Sequence, residues 1–264
     1  MLCVISPAKK LDETPRAVPD GHQMTDPMFA SEAMTLARTA KKLAVSDLRR
    51  LMNLSEGLAR LNHDRFAAFS AMPAPGTVFP AIYCFAGDTY QGLDARTLTP
   101  AATAWAEGHL RILSGLYGLL RPFDAIQPYR LEMGSRLATA KGPDLYAFWG
   151  NKLGRALTSL GGEQGSDVLL NCASVEYFTA ARHPSLKLRV VTPVFLEERD
   201  GSARIISFWA KKARGAMARF ACENRLTDPS DLRAFDLGGY AFRPDLTEGD
   251  RLVFSRAERA QQAA

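Results

Sequence analysis

LRVVTPVFLEERDGSARIISFWAKKARGAMARFACENR, residues 188–225, holds the three patterns that decide the fold. Residues 188–197 are rich in Val, Thr, Phe and Leu, as a strand requires, and residues 204–209 supply a second run of the same kind. Between them Glu198-Arg199-Asp200-Gly201-Ser202 carries Asp-Gly, the commonest signature of a tight hairpin turn. From Ala210 the period changes. Ala213, Ala216, Met217 and Phe220 fall on one arc at about 100° per residue, which predicts an amphipathic helix over 210–226. Strand, turn, strand and helix in immediate succession exclude an all-α or all-β chain.

Working outward, residues 2–5 and 168–172 read as short buried strands, 78–85 as a strand limited by Pro80, and 252–256 as a last strand. Helical spacing predicts helices over 31–43, 46–52, from 55 onward, 100–117 and 144–160, with another starting at Ser174-Val175-Glu176. Residues 12–28, with three prolines, read as a surface loop. No internal repeat or long linker interrupts this order. The expected class is therefore α/β (mixed α+β): one compact domain over 1–256, a mixed sheet with flanking helices, a helical insertion near 30–70, and a frayed tail at 257–264.

The chain has 264 residues and a formal net charge of +5. Residues 201–225 carry six Lys or Arg against one acidic residue, so that window alone equals the whole excess. On the predicted helix Lys211, Arg214 and Arg225 cluster opposite the apolar arc, and Lys212 and Arg219 form an adjacent stripe. Cations this dense repel one another unless water, salt or a polyanion compensates, and the phosphates of a nucleic acid would do so with release of counterions. The same run also fits an ordinary solvated helix face.

Residues 46–66, SDLRRLMNLSEGLARLNHDRF, read as two helices around a tight turn, with Ser46 as N-cap, Leu51 and Leu54 as apolar anchors and Ala59 allowing close approach. That order is similar to the helix-hairpin-helix of DNA repair proteins, whose backbone N–H groups meet phosphate. The usual hairpin glycines are here Asn53 and Ser55; Asn tolerates the left-handed conformation, so the turn survives. Arg49, Arg50 and Arg60 are the flanking cations.

Other chemistry is sparse. Glu176, at a strand-to-helix junction, and Asp88, in a glycine-bearing loop, are candidate acid–base groups, and either also suits a helix N-terminus. The four cysteines are scattered and read as small buried hydrophobes; Cys172, at a strand end, is the one to test for reactivity. The four histidines lack ligand spacing, so no metal or cofactor is expected. An apolar N-terminus of only five residues and the absence of any run near 20 apolar residues predict a cytoplasmic protein with no membrane partner.

Several strings then occur in order: ISPAKK at 5–10, FAGDTYQGL at 85–93, LSGLYGLLRP at 113–122, QPYRLEMG at 127–134, LYAFWG at 145–150, NCASVEYF at 171–178, IISFWAKKARGAMARF at 205–220 and ENRL at 223–226. Together they resemble the YaaA family of bacterial peroxide stress resistance proteins, over almost the whole chain. The resemblance implies a cytoplasmic protein with a distinctive α/β fold, a positively charged cleft and a helix-hairpin-helix. It further implies binding of duplex or branched DNA without marked sequence preference and a link to lower free iron. It supplies no catalytic residues. Lys9, the Leu54-Ser55 turn region and Lys211, Lys212 and Arg214 match the family's strings, whereas Lys10 and Asn53 stand at positions that vary.

Three expectations follow. The first is a DNA-binding stress protein with Lys211, Lys212, Arg214 and Arg219 lining a cleft, Lys9 and Lys10 beside it, and Arg49, Arg50, Arg60 and the turn Asn53, Leu54 and Ser55 gripping a second phosphate run. The second is an enzyme acting on a phosphate- or nucleotide-bearing small molecule through Glu176, Asp88 or Lys211. The third is direct iron sequestration. No protein partner is legible.

Overall fold

The computed structural model describes residues 1–199 and 202–257. Eight strands form the main sheet: β1 (Leu2–Ile5), β2 (Leu110–Ser114), β3 (Gly118–Leu120), β4 (Val168–Cys172), β5 (Arg189–Arg199), β6 (Ser202–Arg204), β7 (Ala241–Phe242) and β8 (Arg251–Ala257). Their order is β7-β8-β5-β4-β1-β2-β3, with β6 added to β5. Strands β2, β1, β4, β5 and β8 are mutually parallel, and the antiparallel strands β3, β6 and β7 lie outside this core. All four residues of β1 and all five of β4 are buried, as in a parallel sheet covered on both faces. The expected mixed α/β class and single compact domain stand.

Helices α1 (Ala30–Ala40), α2 (Val45–Met52), α3 (Glu56–Ala68), α4 (Asp88–Leu93) and α5 (Pro100–His109) fill the long crossover from β1 to β2. Helices α6 (Leu145–Trp149) and α7 (Lys152–Glu163) precede β4, α8 (Val175–Thr179) links β4 to β5, and α9 (Ser207–Glu223) follows β6. Five sequence expectations change. The helix over 100–117 ends at His109, and the rest is the β2–β3 hairpin: Leu110, Leu113 and Leu116 have helical spacing, but the whole run is buried on both faces, Arg111 and Ser114 included. The helix over 144–160 breaks at Gly150, whose φ of 49° reverses the chain between α6 and α7. The strand over 78–85 reduces to Phe79–Pro80 and Phe85–Ala86 around a helical turn, Ala81–Cys84. The second hairpin strand ends at Arg204, and Ser207, Phe208 and Trp209 belong to α9. Finally α2 starts at Val45, where the Ala44 N–H donates to the Asp47 carboxylate at 3.1 Å, so Ser46 lies inside the helix. The Asp200-Gly201 turn and residues 258–264 of the tail lie outside the described residues, and Ala257 still belongs to β8.

Two contacts fix α9. At its start Trp209 lies under the Arg256 guanidinium, 4.7 Å from the ring centre, and Arg256 on β8 pairs with buried Glu197 on β5 at 2.9 Å. Tyr240 donates its hydroxyl to the same carboxylate. Further along, α9 crosses α4 with glycine against glycine: a Cβ on Gly215 would lie 1.8 Å from the Thr89 carbonyl oxygen, and one on Gly92 would lie 1.9 Å from that of Lys212. The glycines of FAGDTYQGL and AKKARG thus let two backbones touch.

Candidate functional site

The strand order defines one special point. From β1 the chain leaves toward β2, and from β4, beside β1 on its other flank, it leaves toward β5. Crossovers that depart in opposite directions open a crevice at the carboxyl ends of the two strands, where open α/β sheets bind ligands. Ser6 follows β1 and Ser174 follows β4, and they meet across it: the Ser174 N–H donates to Ser6 Oγ at 2.8 Å, and the Ser6 hydroxyl donates to Ser174 Oγ at 3.3 Å. Tyr90 closes one side with a 3.2 Å hydrogen bond to the Ser6 carbonyl.

The loop 127–134 crosses this edge so closely that a Cβ on Gly115, just after β2, would lie 2.3 Å from the Leu131 carbonyl. Its Glu132 accepts from Arg130 at 3.0 Å and pairs with Lys9 at 3.2 Å. The Gly134 N–H donates to Glu176 Oε1 at 2.9 Å, and the Tyr146 hydroxyl donates to the Glu176 carbonyl at 3.0 Å. Strings far apart in the chain therefore meet at one sheet edge.

Beside the crevice, a cleft of about 1010 Å³ runs between α8, β5 and the first turns of α9, with Asn171, Ser174, Val175, Thr192, Arg214 and Arg251 among its walls. Arg214 reaches it half-buried. Its Nε donates to the Ala210 carbonyl at 3.3 Å, and burial lowers its pKa, opposed by the Cys172 thiol below. Among the described residues Arg214, Arg182 and Arg251 have no carboxylate within ion-pair distance, and the nearby Asp250 carboxylate is held by Arg189 at 2.6 Å. Neither Arg182 nor Arg251 was singled out in the sequence. Arg251 arrives through the parallel pairing of β8 with β5, opposite Thr192, a juxtaposition that no local spacing encodes.

The anticipated residues separate into groups. Lys211 and Lys212 are exposed on α9, and Lys10 is exposed on a short strand paired with Ala86, all without ion-pair partners among the described residues. Lys9 is paired with Glu132. Of the four cations expected to line a cleft, Lys211, Lys212 and Arg219 are not on the wall of this one and Arg214 is; Arg219 donates to the carbonyls of Leu93, Asp94 and Thr97 and pairs with Glu223 at 3.1 Å, tying α9 to the loop after α4. Glu176, Asp88 and Lys211 are not on the wall of this cleft, and Asp88 opens α4. Cys172 is buried, and its contact with Cys3, followed by burial, pushes the Cys3 thiol well up.

Between α2 and α3 the turn is as tight as anticipated. Asn53 adopts φ 49°, ψ 56°, Leu54 is buried with its N–H on the Arg49 carbonyl at 3.0 Å, and Ser55 caps α3 by accepting from the Leu58 N–H at 3.4 Å. Arg50 and Arg60 sit in exposed pairs with Asp47 and Glu56, while Arg49 has no such partner among the described residues. Also among the described residues, no three His, Cys, Asp or Glu side chains group as metal ligands, and no helix is long and apolar enough to cross a membrane.

The family model described as peroxide stress protein YaaA matches residues 1–246. A UPF0246 protein of Cereibacter sphaeroides is 57% identical over 258 residues, covering 97% of this chain and 100% of its own. One from Roseobacter denitrificans is 56% identical over 258 residues, covering 97% and 98%, and one from Jannaschia is 54% identical over 264 residues, covering both chains completely. On matches of this length and identity, this chain belongs to the YaaA family of peroxide stress proteins.

Proposed function

We propose that this peroxide stress protein binds duplex or branched DNA through its phosphates, with little sequence preference. The observation that carries the reading is the trio Lys211, Lys212 and Arg214 near the start of α9, free of carboxylate partners among the described residues, with Arg214 on the wall of the cleft beside the crevice. Lys10 adds a further cation. The α2–α3 turn supports a helix-hairpin-helix contact, since the N-terminus of α3 is exposed with Arg49 close by. Point cations on a rigid helix fix register on a phosphate backbone and read no base edges, hence the weak sequence preference. Such coverage also competes with Fe(II) for backbone phosphates, which would connect DNA binding to protection from peroxide. The test is a salt-dependent anisotropy titration on a labelled duplex. Replacing Lys211, Lys212 and Arg214 together by Glu should abolish binding with an unchanged circular dichroism spectrum; unchanged affinity refutes the reading.

A further inference from the structure

We propose that the cleft beside Arg214 is a binding site for a free nucleoside monophosphate, separate from the phosphate-gripping surface except for Arg214 itself. Its volume of about 1010 Å³ is at the upper end of small-molecule sites, which run to about 1,000 Å³. Three arginines, Arg182, Arg214 and Arg251, line it without a carboxylate partner among the described residues. Asp250, the acidic residue on its wall, is engaged by both Nε and an amino group of Arg189, at 2.9 and 2.6 Å. The charge is therefore uncompensated, and the planar guanidinium suits a phosphate monoester.

The remaining wall fits a flat, largely apolar body. Val190 and Val194 of β5 form part of the floor, while Val175 and Ile205 stand at the rim 85% and 61% exposed, apolar surface that no core contact explains. Set into this apolar wall is one amide. Asn171 is only 7% exposed, accepts from the Ala173 N–H at 3.1 Å, and makes just a long 3.4 Å donation to Thr192 Oγ1. Its amide keeps an unused N–H and an unused lone pair, enough to read the edge of a heterocycle. Anionic head, planar apolar body and a paired donor and acceptor describe a nucleotide better than a lipid, which leaves the amide unmatched, or a bare phosphate, which leaves the apolar wall unused.

The experiment is titration calorimetry of the full chain with AMP and, separately, with inorganic phosphate. The variants are Arg214→Gln and the neutral double change Val175→Ser with Ile205→Ser. The expected result is saturable AMP binding, about tenfold tighter than phosphate and weakened about tenfold by either variant, as for one lost phosphate clamp or one lost base contact. Three results would overturn the inference: no saturation up to about 5 mM AMP, phosphate binding as tightly as AMP, or AMP binding indifferent to both variants. Since Val175 and Ile205 lie outside the cationic row, such a failure would leave the DNA reading standing.

Discussion

Replacing Gly215 by Ala tests whether the basic helix is held in place by backbone contact with α4. An added Cβ would lie 1.8 Å from the Thr89 carbonyl oxygen and 2.8 Å from the Leu93 nitrogen. Carbon and oxygen approach to about 3.3 Å in the closest favourable contacts, so the helices must part by about 1.5 Å. The obstructing atoms are backbone, with no side chain to rotate away, which puts the cost near the upper end of overpacking, about 3 kcal/mol. Alanine regains about 1 kcal/mol of helix propensity over glycine, leaving a net loss of about 2 kcal/mol. For a chain of this size that lowers Tm by about 4–8 °C. Urea unfolding and calorimetry give the number. Gly57→Ala is the control: it also lies in a helix, α3, but nothing stands within 4 Å of its added Cβ, so it should stabilise by about 0.5 kcal/mol. Gly92→Ala meets the Lys212 carbonyl at 1.9 Å, and the double variant should cost less than the sum, since helices already parted accept the second methyl. A Gly215→Ala protein as stable as the Gly57→Ala control would refute the close-contact reasoning.

Glu197→Ala leaves Arg256, whose side chain is only 10% exposed, without its carboxylate and Tyr240 without its acceptor, and should cost about 3–5 kcal/mol in urea unfolding; a loss under about 1 kcal/mol would show that the network does not anchor α9. Burial raises the Asp124 carboxyl above its ordinary range, so its contribution is complete below about pH 4, near the unfolded value, and declines as pH rises through the folded one. Asp124→Asn, which keeps one acceptor for the Arg121 N–H and can instead donate its amide to Thr25 Oγ1, should flatten the stability profile above pH 4, and a profile identical to wild type would remove that assignment. Lys212→Ala should reduce the slope of log K against log salt for duplex DNA by about 0.9, one phosphate's worth, and an unaltered slope would take Lys212 out of the interface. Arg214→Met should bind DNA more weakly yet unfold at equal or higher urea, because it removes a half-buried cation that has no carboxylate partner among the described residues.

The segments that read correctly in the sequence are those whose burial and period agree. Leu2–Ile5 and Val168–Cys172 are short, wholly apolar or nearly so, and central in the sheet, so a buried strand was the available reading. The misreading of residues 110–117 has a definite cause. In residues 110–120 every side chain is buried, so apolar positions at any spacing can be selected, including the 3-residue spacing of Leu110, Leu113 and Leu116. A strand with both faces covered carries no period, and only the neighbouring strand β1 makes the choice, through the pairing of Ile5 with Ile112. Ser207, Phe208 and Trp209 erred the other way: two aromatics suit a strand, but Trp209 is held under Arg256, on a strand more than forty residues later, and that contact fixes it in the first turn of α9.

The site was legible only where charge is local. Lys211, Lys212 and Arg214 stand within four residues on one helix, so counting charge along the chain reveals them. Arg182 and Arg251 lie 69 residues apart in a sequence whose other charges balance, and they reach one cleft through strand order alone. Arg219 shows the converse, since it belongs to the same basic window yet three carbonyls and Glu223 already surround it. What separates a structural cation from a candidate ligand-binding one is thus the partner, which composition does not report. Arg256 and Arg214 make the comparison directly. Both are withdrawn from water against the same helix; Arg256 has Glu197 at 2.9 Å, whereas Arg214 has only a backbone carbonyl. Desolvating a guanidinium without an anion is unfavourable, so the fold carries at Arg214 a cost it avoids at Arg256. An anionic ligand in the cleft would supply the missing counter-charge, and by linkage would stabilise the protein that holds it.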